Sequence, residues 1–465
     1  MTDFSAFLAP DKGETATPIH IVDASTIGDF EKSLSERARA AFQAQGMRAD
    51  PGSLAILPRD GGAPGDWLAL VAVKDAAVRT SWCLAGAASR LPAGTYRLTD
   101  DDVGAAMFGW AAAQHSNNRY KAKPEGKEAR LLLCRDAARI PAAIAEVAAS
   151  ALVRDLVDTP AADMGPAEIE SAVENIAKAH GGEISVVRGD ALQQGFPMIH
   201  AVGQAAARGR EPRLIQMRWG NSGDPLVAII GKGVCFDSGG LDIKPASGMA
   251  LMKKDMGGAA HAIALAQLVM AARLKLSLLL LIPAVENSIS GGAMRPGDVL
   301  RSRKGLFVEV DNTDAEGRLI LGDALSLAGE AGASMIIDFA TLTGAARVAL
   351  GPDLPPLFCN DDALAADILA GGTASDDPLW RMPLWDGYDA MLKSDLADLT
   401  NSPAGGFAGA ITAALFLRRF VAADTPWAHI DTFAWNPAAK PGRPKGGAAL
   451  GLRATWAMLQ QRFGG

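Results

Sequence analysis

Short apolar runs alternate with longer amphipathic ones along most of the chain. Residues 19–22, 54–57, 67–73 and 130–134 are compact runs rich in Ile, Leu and Val, which predict strands. Residues 26–45 and 101–115 place apolar side chains at helical spacing and predict helices, the first with its stripe broken by charge. The glycine-rich stretch 61–65 between them predicts a loop. An Ala-rich helix is predicted over 141–158 and another over 166–180, which opens on Pro166 and is stopped by Gly181 and Gly182. Further strands are expected at 184–187, 214–219, 226–230, 276–282, 306–310 and 335–339, with helices between them.

The second set reads differently from the first. Leu226-Val227-Ala228-Ile229-Ile230 is uninterrupted by polar residues, as in a strand buried on both faces. Such runs separated by helical stretches predict an α/β fold with a mainly parallel central sheet and helices on both faces. The expected organisation is a smaller N-terminal α/β domain, residues 1–140, and a larger C-terminal domain, residues 141–465, opened by the Ala-rich helix. Residues 436–447, rich in Pro, Gly and Lys, read as a loop.

Composition narrows the classes. A chain of 465 residues with 49% hydrophobic and 21% charged residues has ample core for two globular domains. Its net charge of −7 offers no electrostatic footprint for nucleic acid. Four scattered cysteines (Cys83, Cys134, Cys235, Cys359) suit reduced thiols rather than a disulfide framework. The longest apolar run is too short to span a bilayer, and Met-Thr-Asp-Phe-Ser lacks the features of a signal peptide. A cytoplasmic protein without membrane partners is expected.

Two segments carry candidate chemistry. In Val308-Glu309-Val310-Asp311-Asn312-Thr313-Asp314-Ala315-Glu316-Gly317-Arg318, two carboxylates two residues apart would point the same way from an extended backbone. Without a cation such a pair repels and one member stays protonated. An isolated Asp-x-Glu is usually a solvated turn. The reading changes because of Gly231-Lys232-Gly233-Val234-Cys235-Phe236-Asp237-Ser238-Gly239-Gly240, which follows the apolar run and places Lys232 and Asp237 beyond a strand's carboxyl end, where open α/β sheets bind ligands. Lys244 follows, and then Lys254-Asp255-Met256-Gly257-Gly258 at the start of a predicted helix over 257–272. Oxygen ligands with one amine suit two hard or borderline divalent cations, the lysine ligating only when neutral.

These linked motifs resemble the signatures of the leucyl aminopeptidase family, the di-metal M17 peptidases. The similarity continues through Thr341-Leu342-Thr343-Gly344-Ala345 and Lys393-Ser394-Asp395-Leu396-Ala397-Asp398-Leu399. The resemblance implies an aminopeptidase that removes N-terminal residues, apolar ones such as leucine, from peptides. It implies that Asp237 and Glu316 bridge two metal ions, that Lys232 and Asp255 complete the tighter site, and that Asp314 completes the more exchangeable one. Mn or Zn is expected, with Mg or Co also accommodated. Lys244 would stabilise the oxyanion, and Arg318 would hold a bicarbonate that moves the proton from water to the leaving amine. Taken singly, Lys244 reads equally as a solvent lysine, and Arg318 as a salt-bridge partner of Asp314 or Glu316. Met252, Asn312, Thr341, Leu342 and Gly344 are the expected substrate-binding residues. Relatives form hexamers, so a homohexamer is expected, with the N-terminal domain aiding assembly. The chain departs from the family pattern after His429-Ile430-Asp431, where Phe433 and Trp435 replace small residues, and at Ala250. Both departures bear on substrate preference rather than on the ligands.

Overall fold

A computed structural model describes residues 2–59, 66–100, 102–122 and 128–464. The expected loop at 61–65 lies outside the described residues, as does Asp101 at the start of the helix expected over 101–115. The chain forms two compact units, Met1–Ala151 with Ala438–Lys445, and Leu152–Pro437 with Gly446–Gly465. The division falls inside a single helix, Ile140–Asp158.

The first unit is built on a six-stranded sheet in the order Leu8–Pro10, Arg130–Cys134, Gly94–Leu98, Thr17–Val22, Trp67–Ala72, Leu54–Pro58. All neighbours are parallel except the last pair. The helix expected over 26–45 is two helices, Ile27–Ser33 and Glu36–Ala44. Ser35 separates them because its side chain accepts from Ala38 N–H and caps the second. The helix expected over 101–115 is reduced to Ala106–Ala112, which buries Phe108 and Trp110 in the core.

The second unit holds a nine-stranded mixed sheet. Its centre is parallel: Trp427–Asp431, Met335–Ala340, Leu226–Gly231 and Ser277–Asn287 lie side by side. Gly233–Asp237 pairs parallel with the far end of Ser277–Asn287. Antiparallel strands flank this centre, Arg213–Trp219 and Glu183–Arg188 on one side and Pro356–Cys359 on the other. The strand expected over 306–310 does form, as Phe307–Glu309, but in a separate three-stranded sheet with Val299–Arg301 and Leu399–Thr400. Helices Gly257–Ala271 and Glu316–Glu330 pack against the parallel strands. The first approaches so closely that a Cβ on Gly258 would stand 2.2 Å from the Phe339 carbonyl oxygen, a contact only glycine permits. Among the described residues no helix is long and apolar enough to cross a membrane.

Candidate metal centre

The carboxyl ends of the parallel strands bring the two sequence segments together. Strand Leu226–Gly231 delivers Lys232, whose backbone is fixed by its N–H donating to Phe339 O (3.0 Å) and its carbonyl accepting from Ala259 N–H (2.8 Å). The Lys232 ammonium lies 2.7 Å from Asp255 Oδ2 and 2.8 Å from Glu316 Oε1, and donates to Thr341 O. Gly317 is needed here for space rather than for a turn, since a Cβ would sit 2.7 Å from Lys232 Nζ.

Asp237, Asp255 and Glu316 are all buried, and each offers one oxygen within 4.8 Å of the others. Asp237 closes strand Gly233–Asp237; its Oδ1 accepts from Asn287 Nδ2 and Gly239 N–H, both at 2.9 Å. Asp255 lies on the short turn Met252–Met256, where the Thr341 hydroxyl donates to its Oδ1 (2.8 Å). Glu316 opens helix Glu316–Glu330, so the two carboxylates of Asp314 and Glu316 converge across a turn into a helix, not along an extended strand. Asp314 is half-buried, lies outside the three-carboxylate group and shares the Lys244 ammonium with Asp237, which stands 2.8 Å from that nitrogen. Lys244 is therefore an ion-paired bridge, not a solvent lysine.

The electrostatics are those of charge crowded without water. Burial, reinforced by the negative charge of Asp237, pushes Glu316 up to about 8 and Asp314 up to about 6. Burial opposes the charge on Lys232, but Asp255, Glu316 and Asp237 outweigh it and hold the ammonium above its usual range. Burial lowers Arg318 to about 10. Its Nη1 donates to Asn401 O (2.7 Å), while its buried Nε has no hydrogen-bond partner. Among the described residues Arg318 makes no ion pair with Asp314 or Glu316.

The carboxylate cluster opens onto a cavity of about 260 Å³. Every expected ligand, catalytic or substrate-binding residue except the buried Glu316 lines it, as does Phe433; Ala250 and Trp435 do not. Met252 is in its wall, and Asn312 orients the turn by accepting from Asp314 N–H (2.8 Å). Thr341 reaches the site through its hydroxyl; Leu342 and Thr343 direct their N–H groups to Asp431, and Gly344 opens helix Gly344–Leu350.

Several residues of the site carry no sequence signal. Buried Asn287 donates to both Asp237 Oδ1 and Thr313 O, tying the two segments together. Buried Asn401 accepts from the N–H groups of Asp311 and Asn312 and donates to Asn312 O (2.7 Å). Each is an isolated asparagine far along the chain, placed only by the fold. His261 and His429 are buried and stacked on aromatic rings away from the carboxylates, His429 against Asp338 at 2.5 Å.

An α/β unit whose strand ends assemble three buried carboxylates around a lysine defines a narrow class of protein. The catalytic-domain profile of the cytosol aminopeptidase family matches residues 151–455, and the N-terminal-domain profile of M17 aminopeptidases matches residues 17–134. The chain belongs to the cytosol aminopeptidase (M17) family. It is 43% identical over 316 residues to a probable cytosol aminopeptidase of Syntrophotalea carbinolica, a match covering 67% of this chain and 63% of that protein. The match thus spans less than two thirds of the length of that relative, as it does for a probable cytosol aminopeptidase of Roseiflexus castenholzii. The crystal structure of a cytosol aminopeptidase from Coxiella burnetii superposes with a TM-score of 0.92 at 43% identity, covering 98% of this chain and 99% of that one. The bottromycin maturation enzyme BotP in complex with Mn superposes with a TM-score of 0.84 at 29% identity, covering 96% and 100%.

Proposed function

We propose that the chain is a di-metal aminopeptidase, releasing the N-terminal residue of peptides by hydrolysis. The observation that carries this reading is the convergence of Asp237, Asp255 and Glu316 within 4.8 Å of one another beside Lys232. Buried carboxylates with no histidine among them form a hard-oxygen donor set. Asp255 Oδ2 and Glu316 Oε1 both face the Lys232 ammonium, at 2.7 and 2.8 Å, and would turn to a cation once that lysine is neutral. Asp237, Glu316, Asp255, Lys232 and Asp314 would hold two divalent ions, Mn or Zn, with Mg or Co as alternatives; the Mn complex of BotP supports the first. Bound there, the cations would lower the pKa of a shared water and polarise the scissile carbonyl.

The chain's own groups supply the rest. Lys244 aims a fixed ammonium at the cavity and stabilises the oxyanion as the carbonyl becomes tetrahedral. Arg318, anchored by one arm on Asn401 O, keeps its Nε to hold a bicarbonate, which would supply a base for the attacking water. Asn312, Thr341, Leu342 and Gly344 orient the peptide, and Met252 contacts the first side chain, which supports acceptance of apolar residues such as leucine. Exposed Trp380, Trp385, Leu396 and Phe407 on the second unit support a homohexamer, checked by its mass in light scattering. The net charge of −7 argues against a nucleic-acid partner, and the scattered cysteines support a cytoplasmic protein. Glu316→Ala and Asp255→Ala should each abolish turnover of leucine p-nitroanilide in a protein with an unchanged circular dichroism spectrum. Wild-type rates in either variant would sink the assignment.

A further inference from the structure

One wall of the cavity is more polar than an apolar specificity pocket requires. Lys254 is 4% exposed, yet among the described residues its ammonium donates no hydrogen bond, and its ion pair with Asp255 Oδ1 is long, at 3.6 Å. Burying an ammonium with its donors unfilled is costly, and this one lines the cavity. It lies 5.3 Å from the centroid of the Phe433 ring, and the guanidinium of Arg347 lies 4.5 Å from the same centroid. Arg347 also lines the cavity, and among the described residues its guanidinium makes no ion pair or hydrogen bond. Phe433 is thus flanked by two cations, the buried Lys254 without a hydrogen-bond acceptor and the exposed Arg347 at the cavity wall. Asp431, which also faces Lys254, is occupied by the Leu342 N–H, the Thr343 N–H and the Thr343 hydroxyl.

We propose that this pocket receives an acidic side chain, aspartate or glutamate, at the substrate's N-terminal residue, with Lys254 and Arg347 as its specificity residues. The inference rests on the aminopeptidase reading and deepens it. Met252 and Lys254 share one short turn that leads into Asp255, so the cations lie on the wall assigned to the first side chain. A glutamate would lay its methylenes on Met252 and Phe433 and bring its carboxylate to the two nitrogens. Leucine fits the same apolar surface but leaves the buried Lys254 ammonium without an acceptor, and sites with buried polar groups discriminate against guests that leave them unpaired.

The test compares kcat/KM for L-glutamyl and L-leucyl p-nitroanilide with Mn-loaded protein. The glutamyl substrate should be cleaved at least as efficiently as the leucyl one. The ratio should fall about tenfold or more in Lys254→Met, the loss expected when a buried charge pair is truncated, and in the same direction but by less in Arg347→Met, whose guanidinium is solvated. Arg347 is on an exposed helix face, so its variant guards against misfolding of the Lys254 variant. Titration calorimetry should show free L-glutamate binding more tightly than L-leucine. Efficient cleavage of the leucyl substrate alone overturns this inference and leaves the peptidase reading standing; release from neither overturns both. A ratio unchanged in both variants, with their losses confined to Leu-Gly over Leu-Gly amide, would give the cations to a dipeptide's C-terminal carboxylate and overturn it too.

Discussion

Replacing Thr341 by valine isolates one hydrogen bond at the centre. The substitution keeps the β-branched shape and removes the hydroxyl that donates to Asp255 Oδ1 at 2.8 Å and to Asp255 O at 3.0 Å. Asp255 is buried, so water cannot replace the lost donor. A hydrogen bond to a charged group contributes about 1.5–3 kcal/mol. Removing a partner that orients a metal ligand costs roughly 10–100-fold in metal affinity, which is about 1.4–2.8 kcal/mol. The two estimates agree. Titration calorimetry of Mn into chelator-stripped protein should show the tighter of two sites weakened about 10–100-fold in Thr341→Val. Thr341→Ser, which restores the hydroxyl, should recover most of the loss. Unchanged affinity in a folded Thr341→Val protein would refute the idea that this hydroxyl orients Asp255 for a cation.

Other outcomes follow from the packing. Gly258→Ala would push a methyl to 2.2 Å from the Phe339 carbonyl oxygen, and neither partner is a flexible side-chain end. The helix must move off the strand, so stability should drop by about 1–3 kcal/mol or more, read as a lower midpoint in urea. His261 contributes a pH dependence. Its Nδ1 meets Gly257 O at 2.7 Å, its Nε2 accepts from Leu450 N–H at 3.0 Å, and burial lowers its pKa from 6.5 to about 4. The folded state therefore favours the neutral ring. Its stabilisation is complete above the unfolded value of 6.5 and is lost as pH falls through the folded value of about 4, an effect on the order of 3 kcal/mol. His261→Gln, which can keep both hydrogen bonds without titrating, should lose less stability than wild type between neutral pH and about 4.5. Parallel melting profiles would contradict this.

The carboxylate cluster was legible because Asp237, Asp255 and Glu316 lie in a few contiguous segments, and parallel strands ending on one side bring such segments together. The reason for convergence at Asp314 and Glu316 was misread: alternation along a strand was assumed, whereas Glu316 already belongs to a helix. Gly317 has a purpose that no local pattern shows, since its lack of a side chain makes room for Lys232, distant in sequence. Asn287 and Asn401 were invisible because a lone asparagine has no periodicity and gains meaning only from the chain that folds over it. The break between Ile27–Ser33 and Glu36–Ala44 has little sequence signal, because Ile27, Phe30, Leu34, Ala38 and Phe42 keep helical spacing across it despite the intervening charges, and Ser35 alone supplies the cap. Phe433 was visible as a departure, but its position between Lys254 and Arg347 required the fold.

The most direct test of the central claim is release of p-nitroaniline from leucine p-nitroanilide by chelator-stripped protein, before and after Mn or Zn is restored. The account predicts that stripping abolishes release, and that adding back metal restores it up to about two ions per chain. A rate unaffected by chelation, or no binding of metal by the stripped protein, would contradict a catalytic centre built on Asp237, Asp255 and Glu316.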